Sequence, residues 1–144
     1  MNYKSIVVLL FVLIFSSCKS PMELYQNYKG PQLSIGSGGG ISGEYNEYIL
    51  FENGNFYHKN SFEKGIKFIG SIPANEAKQI FKNYFTLKFD DIELNSPGDF
   101  SYFIKFGDKV KNHKLIWANS SKIEPKVKVF YDILRSKVKK LSGK

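Results

Sequence analysis

The sequence predicts an α+β domain: a single, mostly antiparallel sheet in the order β-β-β-α-β-β-α, with two helices packed on one face. Three observations carry this. Tyr45, Glu47, Ile49 and Phe51 alternate with Asn46, Tyr48 and Leu50, and Phe100, Tyr102, Ile104 and Phe106 repeat the same period of two. Two later stretches switch to a spacing of three and four, the period of an amphipathic helix. The connections within each strand group are short, and short connections join antiparallel neighbours.

Taken in order, residues 18–42 read as a lipidated cysteine and a flexible tether, and residues 43–144 as one domain. Ser20-Pro21-Met22-Glu23 has the form of a capping box with proline at the first helical position, enough for one or two turns through Tyr28 before Gly30-Pro31 breaks them. Leu33 to Ile35 suits a short strand that is left out of the counted order. Residues 45–51 and 56–59 then form a hairpin around Glu52-Asn53-Gly54-Asn55. Residues 66–69 give a third strand. Ala77, Ile80, Phe81, Tyr84 and Leu87 make the first helical stripe. Residues 90–99 read as a loop, residues 100–106 and 114–118 as the last two strands. Val127, Phe130, Leu134, Val138 and Leu141 form the stripe of a final helix opened by Pro125.

The chain begins MNYKSIVVLLFVLIFSSCKS. Lys4 precedes ten unbroken apolar residues, 6–15, which suit a secretory signal and fall short of the roughly 20 that cross a bilayer. Phe15-Ser16-Ser17-Cys18 resembles the lipobox of bacterial lipoproteins, with phenylalanine where leucine is commoner. The resemblance implies a signal peptide over residues 1–17, cleavage before Cys18, acylation of that cysteine and attachment to a membrane of the cell envelope. Cys18 is the only cysteine, so an exported chain has no internal disulfide to make from it. Beyond the signal, 11 Phe, 8 Tyr and Trp117 leave ample material for a core.

Gly36-Ser37-Gly38-Gly39-Gly40-Ile41-Ser42-Gly43 contains a literal G-x-G-x-x-G. A dinucleotide fingerprint needs a strand before it and a helix opening on its last glycine, whereas here a strand follows. The segment is expected to be a flexible entry into the first hairpin, and no nucleotide is expected. Together with the tyrosine-rich strand and turn that follow, it resembles a group of small bacterial lipoproteins with a triple-glycine segment, a likeness that implies no activity.

Other chemistry is sparsely supplied. His58 and His113 stand alone, without the convergent ligands a zinc site needs. Asp90, Asp91, Glu93 and Asp99 share one loop without the spacing of a calcium-binding loop, and a solvated acidic loop accounts for them. Ser120-Ser121 suit a turn rather than a nucleophile. No catalytic residue, metal site or cofactor is expected.

Charge is the remaining signal. Residues 18–121 carry 12 Lys against 11 acidic residues, and residues 122–144 carry 8 basic residues against Glu124 and Asp132. Lys126, Lys128, Arg135, Lys139 and Lys140 lie off the apolar stripe and form a candidate basic interaction face. A solvated helix surface explains them by itself; anionic headgroups beside the anchor or an acidic protein or glycan partner are the functional readings. Nucleic acid does not suit an exported chain.

Function is therefore expected in one of two classes. The first is a lipid-anchored, non-enzymatic binding or accessory module of the envelope, touching the membrane through acylated Cys18 and an envelope or secreted protein through its surface. A tether of about 22 residues would give it a reach of roughly 25 Å. The alternative is an inhibitor of a secreted or envelope protease, presenting Asn95-Ser96-Pro97-Gly98-Asp99 or the glycine segment as a binding loop.

Overall fold

The computed structural model describes residues 20–143; the signal segment and Cys18 lie outside the described residues. Helix α1 (Pro21–Asn27) is followed by β1 (Gln32–Gly39), β2 (Glu44–Phe51), β3 (Asn55–Asn60) and β4 (Lys67–Ser71). Then come α2 (Ala74–Thr86), a 3-10 turn (Phe89–Asp91), β5 (Asn95–Ser96), β6 (Phe100–Gly107), β7 (Asn112–Ala118) and α3 (Pro125–Ser142). The strands form one sheet in the order β4-β3-β2-β1-β6-β7-β5. Neighbours run antiparallel except β5, which runs parallel to β7.

The expected order of five strands and two helices is thus overturned by the three helices and seven-stranded mixed sheet of the described residues. The largest correction is β1. Residues assigned to a tether form the middle strand, paired along its whole length with β2 on one edge and β6 on the other. Hydrogen-bonded from both sides, its glycines have their backbone groups satisfied by strand neighbours rather than by water. Residues 95–96, assigned to a loop, add the parallel edge strand. Helix α1 forms because the Ser20 hydroxyl accepts from the Glu23 amide and Pro21 opens the first turn.

The glycines of β1 have a steric role. A Cβ on Gly36 would overlap the Phe103 ring of β6 and the carbonyl oxygen of Asn46 in β2. Gly39 sits at φ 107°, where side chains are strained, and a Cβ there would strike the carbonyl oxygen of Asp99. Small residues in this strand let aromatic rings from its neighbours lie across it.

The two faces of the sheet are covered unequally. Leu33, Ile35, Leu50, Phe56, Ile104, Phe106, Leu115 and Trp117 point to one face and pack against the apolar stripes of α2 and α3. Ile49, Phe51 and Tyr57 point to the other, where α1 covers them with Tyr25 and Tyr28. The Tyr28 ring stacks on Phe51 at 3.8 Å between centroids, and its hydroxyl accepts from the Glu52 amide at 3.0 Å. Among the described residues no buried side-chain nitrogen or oxygen lacks a partner.

The register also defines the two ends of the sheet. Gly39 pairs with Glu44 and with Phe100, and the Ser61 amide bonds the carbonyl of Tyr45. One end therefore carries the turn at residues 40–43, the loop at 61–66 and the start of β6. The opposite end carries residues 52–54 and 108–111, beside Gln32.

If close packing on β1 organises the sheet, Gly36→Ala should lower stability by about 1–3 kcal/mol, the usual cost of overpacking. Urea unfolding would show a lower midpoint at unchanged slope. An unchanged midpoint would remove Gly36 from this account.

Candidate functional site

A cleft of about 310 Å³ opens on the helix face between α3 and the β6–β7 pair. Its floor is aromatic. Tyr102 stacks on Trp117 with centroids 6.0 Å apart, and both meet the Tyr131 ring in T-shaped geometry, at 5.7 and 5.4 Å. Strand alternation puts Tyr102 and Trp117 on this face as cross-strand partners, and helical spacing from Val127 puts Tyr131 above them. The Tyr131 hydroxyl donates to the Gly36 carbonyl at 3.3 Å, tying the cleft to the central strand. Burial raises its pKa, so the phenol remains a donor at neutral pH.

The rim is charged. Lys128 and Asp132 form an i,i+4 pair at 2.7 Å, and Arg135 lines the same cleft one turn further along. Arg135 makes no ion pair among the described residues, so its guanidinium is available to a carboxylate or another planar anion in bidentate geometry. Asn119 and Ser121 add polar groups at the opposite lip. An apolar floor with a few convergent polar groups is a binding arrangement.

The five residues of the candidate basic face are divided by this geometry. Lys128, Arg135 and Lys139 follow at intervals of seven and four along one flank of α3, and the first two reach the cleft. Lys126 lies elsewhere, bonded to the Leu87 carbonyl at 3.2 Å and to Glu124. Lys139 and Lys140 are exposed in the last turn, where their charge favours the helix C-terminus. Cys18 lies outside the described residues. Sequence periodicity accounted for Tyr102 and Trp117 only as strand residues; that they meet Tyr131 depends on how α3 crosses the sheet.

The open sheet face holds a second polar array. Glu47 accepts from Ser34 at 2.7 Å and from Lys105 at 3.0 Å, while Lys105 and Lys114 lie over the Phe103 ring at 4.6 and 5.7 Å. These contacts satisfy one another and hold Phe103 in place over Gly36.

The remaining candidates have structural partners. His113 Nε2 donates to the Ile92 carbonyl at 3.0 Å, which leaves Nδ1 to accept from the Tyr84 hydroxyl at 2.6 Å. Asp90 pairs with Lys111 at 2.7 Å, and that hydrogen bond lowers its pKa. Ser121 accepts from the Ala118 amide at 3.1 Å, closing the turn after β7. Among the described residues no group of three or more His, Cys, Asp and Glu could hold a metal ion, and no helix is long and apolar enough to cross a membrane.

His58 donates through Nε2 to Asn46 Oδ1 at 2.8 Å and stacks on Tyr48 at 4.7 Å. Burial lowers its pKa, outweighing the opposing pull of Glu63. The folded ring therefore binds fewer protons than the unfolded one. Stability is full above the ordinary value of 6.5 and is lost as pH falls through it towards the folded pKa. We expect His58→Gln to lose less stability than the wild type between about pH 7 and pH 5, measured by urea unfolding. Equal losses would show that the ring does not carry this dependence. No protein-family model matches the chain, and no curated protein matches it either.

Proposed function

We propose that this protein is a lipid-anchored, non-enzymatic binding module of the bacterial cell envelope, held at the membrane by acylated Cys18. Its partner is an envelope or secreted protein that places an acidic side chain in the cleft of α3. The observation that carries this reading is the cleft itself, where the aromatic floor of Tyr102, Trp117 and Tyr131 meets the guanidinium of Arg135, which makes no ion pair among the described residues. Aromatic and arginine side chains together are the residue types that dominate binding energy at protein interfaces.

Protease inhibition, the alternative, would rely on a projecting loop. Asn95 and Ser96 instead pair with β7, and the Gly98 amide donates to Ser101 Oγ at 3.1 Å. Half of the glycine segment, residues 36–39, is built into β1, and only the four-residue turn at 40–43 projects. With both segments shortened in this way, the cleft is the contact surface we favour.

Two experiments test the proposal. Cys18→Ala should move the protein from the membrane to the soluble fraction; a variant that stays membrane-bound and still incorporates fatty acid contradicts the anchor. Separately, the full chain in detergent, immobilised, should retain a stoichiometric partner from envelope extract or culture supernatant. Arg135→Ala should weaken that retention about tenfold, the scale of one charged contact at an interface rim. A partner held equally by both chains would place binding outside the cleft, and no partner would contradict the binding reading.

A further inference from the structure

We infer that one end of the sheet is a membrane-insertion tip, which docks the domain against the same bilayer that holds its anchor. The inference rests on the reading of Cys18 as acylated. It adds an orientation and a second point of attachment.

The first observation is where the chain enters the fold. Only Lys19 stands between Cys18 and Ser20, the N-cap of α1, and two residues of chain reach at most about 7 Å. The sequence had promised a long flexible tether; the folded positions of α1 and β1 leave almost none. The start of α1 is in turn fixed at one end of the sheet. A Cβ on Gly65 would lie 3.3 Å from the terminal methyl of Met22, which places the first turn of α1 beside the loop at residues 61–66.

The second observation is what that end exposes. Ile41, at the turn between β1 and β2, is fully exposed, Phe62 in the β3–β4 loop is 66 % exposed and Phe100 at the start of β6 is 43 % exposed. These three large apolar residues come from three separate segments. Backbone bonds hold the segments together: the Gly40 amide donates to the Asp99 carbonyl, and the Ser61 amide to that of Tyr45. Tyr45, also exposed, adds an amphipathic ring next to the same loop. Apolar side chains at a loop end carry a cost in water that a core position would remove.

The third observation is charge. Glu44, Glu63 and Asp99 roughly offset Lys64 and Lys67 in these segments, and Glu63 is paired with Lys67. Attraction to anionic headgroups therefore does not drive the contact; apolar insertion does. The basic residues of α3 lie on the opposite face from α1, and the last turn of α3 packs towards Gly70 of β4. Interfacial segments of this kind bury their apolar groups about 5–10 Å into the boundary between headgroups and acyl chains. The anchor holds the protein on the bilayer, and the tip would fix how the domain sits against it.

The test uses the full-length lipidated protein in vesicles of phosphatidylethanolamine and phosphatidylglycerol. With Cys18 blocked by its acyl group, an introduced cysteine is the only free thiol. Ile41→Cys and Phe62→Cys place an environment-sensitive fluorophore at the tip. Val110→Cys places one at the opposite end, where the native side chain is also highly exposed. We expect lipids carrying a shallow nitroxide to quench the labels at 41 and 62 several-fold more than the label at 110, with little change on adding salt. Equal, weak quenching at all three positions, in a protein that floats with the vesicles, would overturn the tip while leaving the anchor standing. Wild-type protein that itself takes up the thiol reagent would show Cys18 unblocked, and would overturn the anchor and the tip together.

Discussion

Everything in this fold depends on β1 being hydrogen-bonded on both edges. Its eight residues pair in unbroken register with β2 and β6, so the strand joins the β2–β3–β4 meander to the β6–β7 hairpin. Without it the sheet would be two smaller pieces, each with an unprotected edge in the middle of the molecule. The strand is narrow where it must be. Phe103 crosses it at Gly36 on the open face, and the carbonyl of the same residue receives the Tyr131 hydroxyl from the helix face. One glycine thus links the open-face array, the central strand and the wall of the cleft.

The unequal cover of the two faces follows from that arrangement. On one face α2 and α3 bury a large mixed aliphatic and aromatic core; on the other the seven-residue α1 covers only the β2–β3 side with two tyrosines. A helix this short has little stability of its own, and most of what holds it is tertiary packing. Stacking of Tyr28 and Tyr25 on Phe51, with Tyr25 also meeting Tyr57 edge-on, supplies that packing. On the proposed reading, α1 transmits the position of the lipid to the domain. A floating domain on a long coil would sample all orientations, whereas a domain fixed through α1 presents its cleft in a restricted set of them.

Much of the fold was legible where side-chain periodicity is strong. The alternation in β2 and β6 and the stripes of α2 and α3 come from residues whose burial is decided by one face. What escaped was structure held by contacts distant in sequence. In β1, Gly36, Gly38 and Gly39 erase the period of two, and their presence is explained by close neighbours from other segments: the Phe103 ring, Tyr45 and the backbone carbonyls of Asn46, Glu44 and Asp99. Strand β5 is two residues long and exists because β7 offers it an edge. The helix α1 was visible as a capping box, but not its packing on Phe51. The site was legible in part: charge counting found Lys128 and Arg135, whereas the aromatic floor required the crossing of α3 over β6 and β7. Lys126, Lys139 and Lys140 belong to the same count and not to the same cleft.

The most direct test of this account is native-state amide hydrogen exchange along residues 32–39. As a doubly paired central strand, β1 should have amides as well protected as those of Ile104 and Leu115 in the core, opening only with global unfolding. Exchange at the rate of a loop would mean that the glycine segment is a tether after all. The close anchor, the tied cleft and the two-faced sheet would then all have to be abandoned.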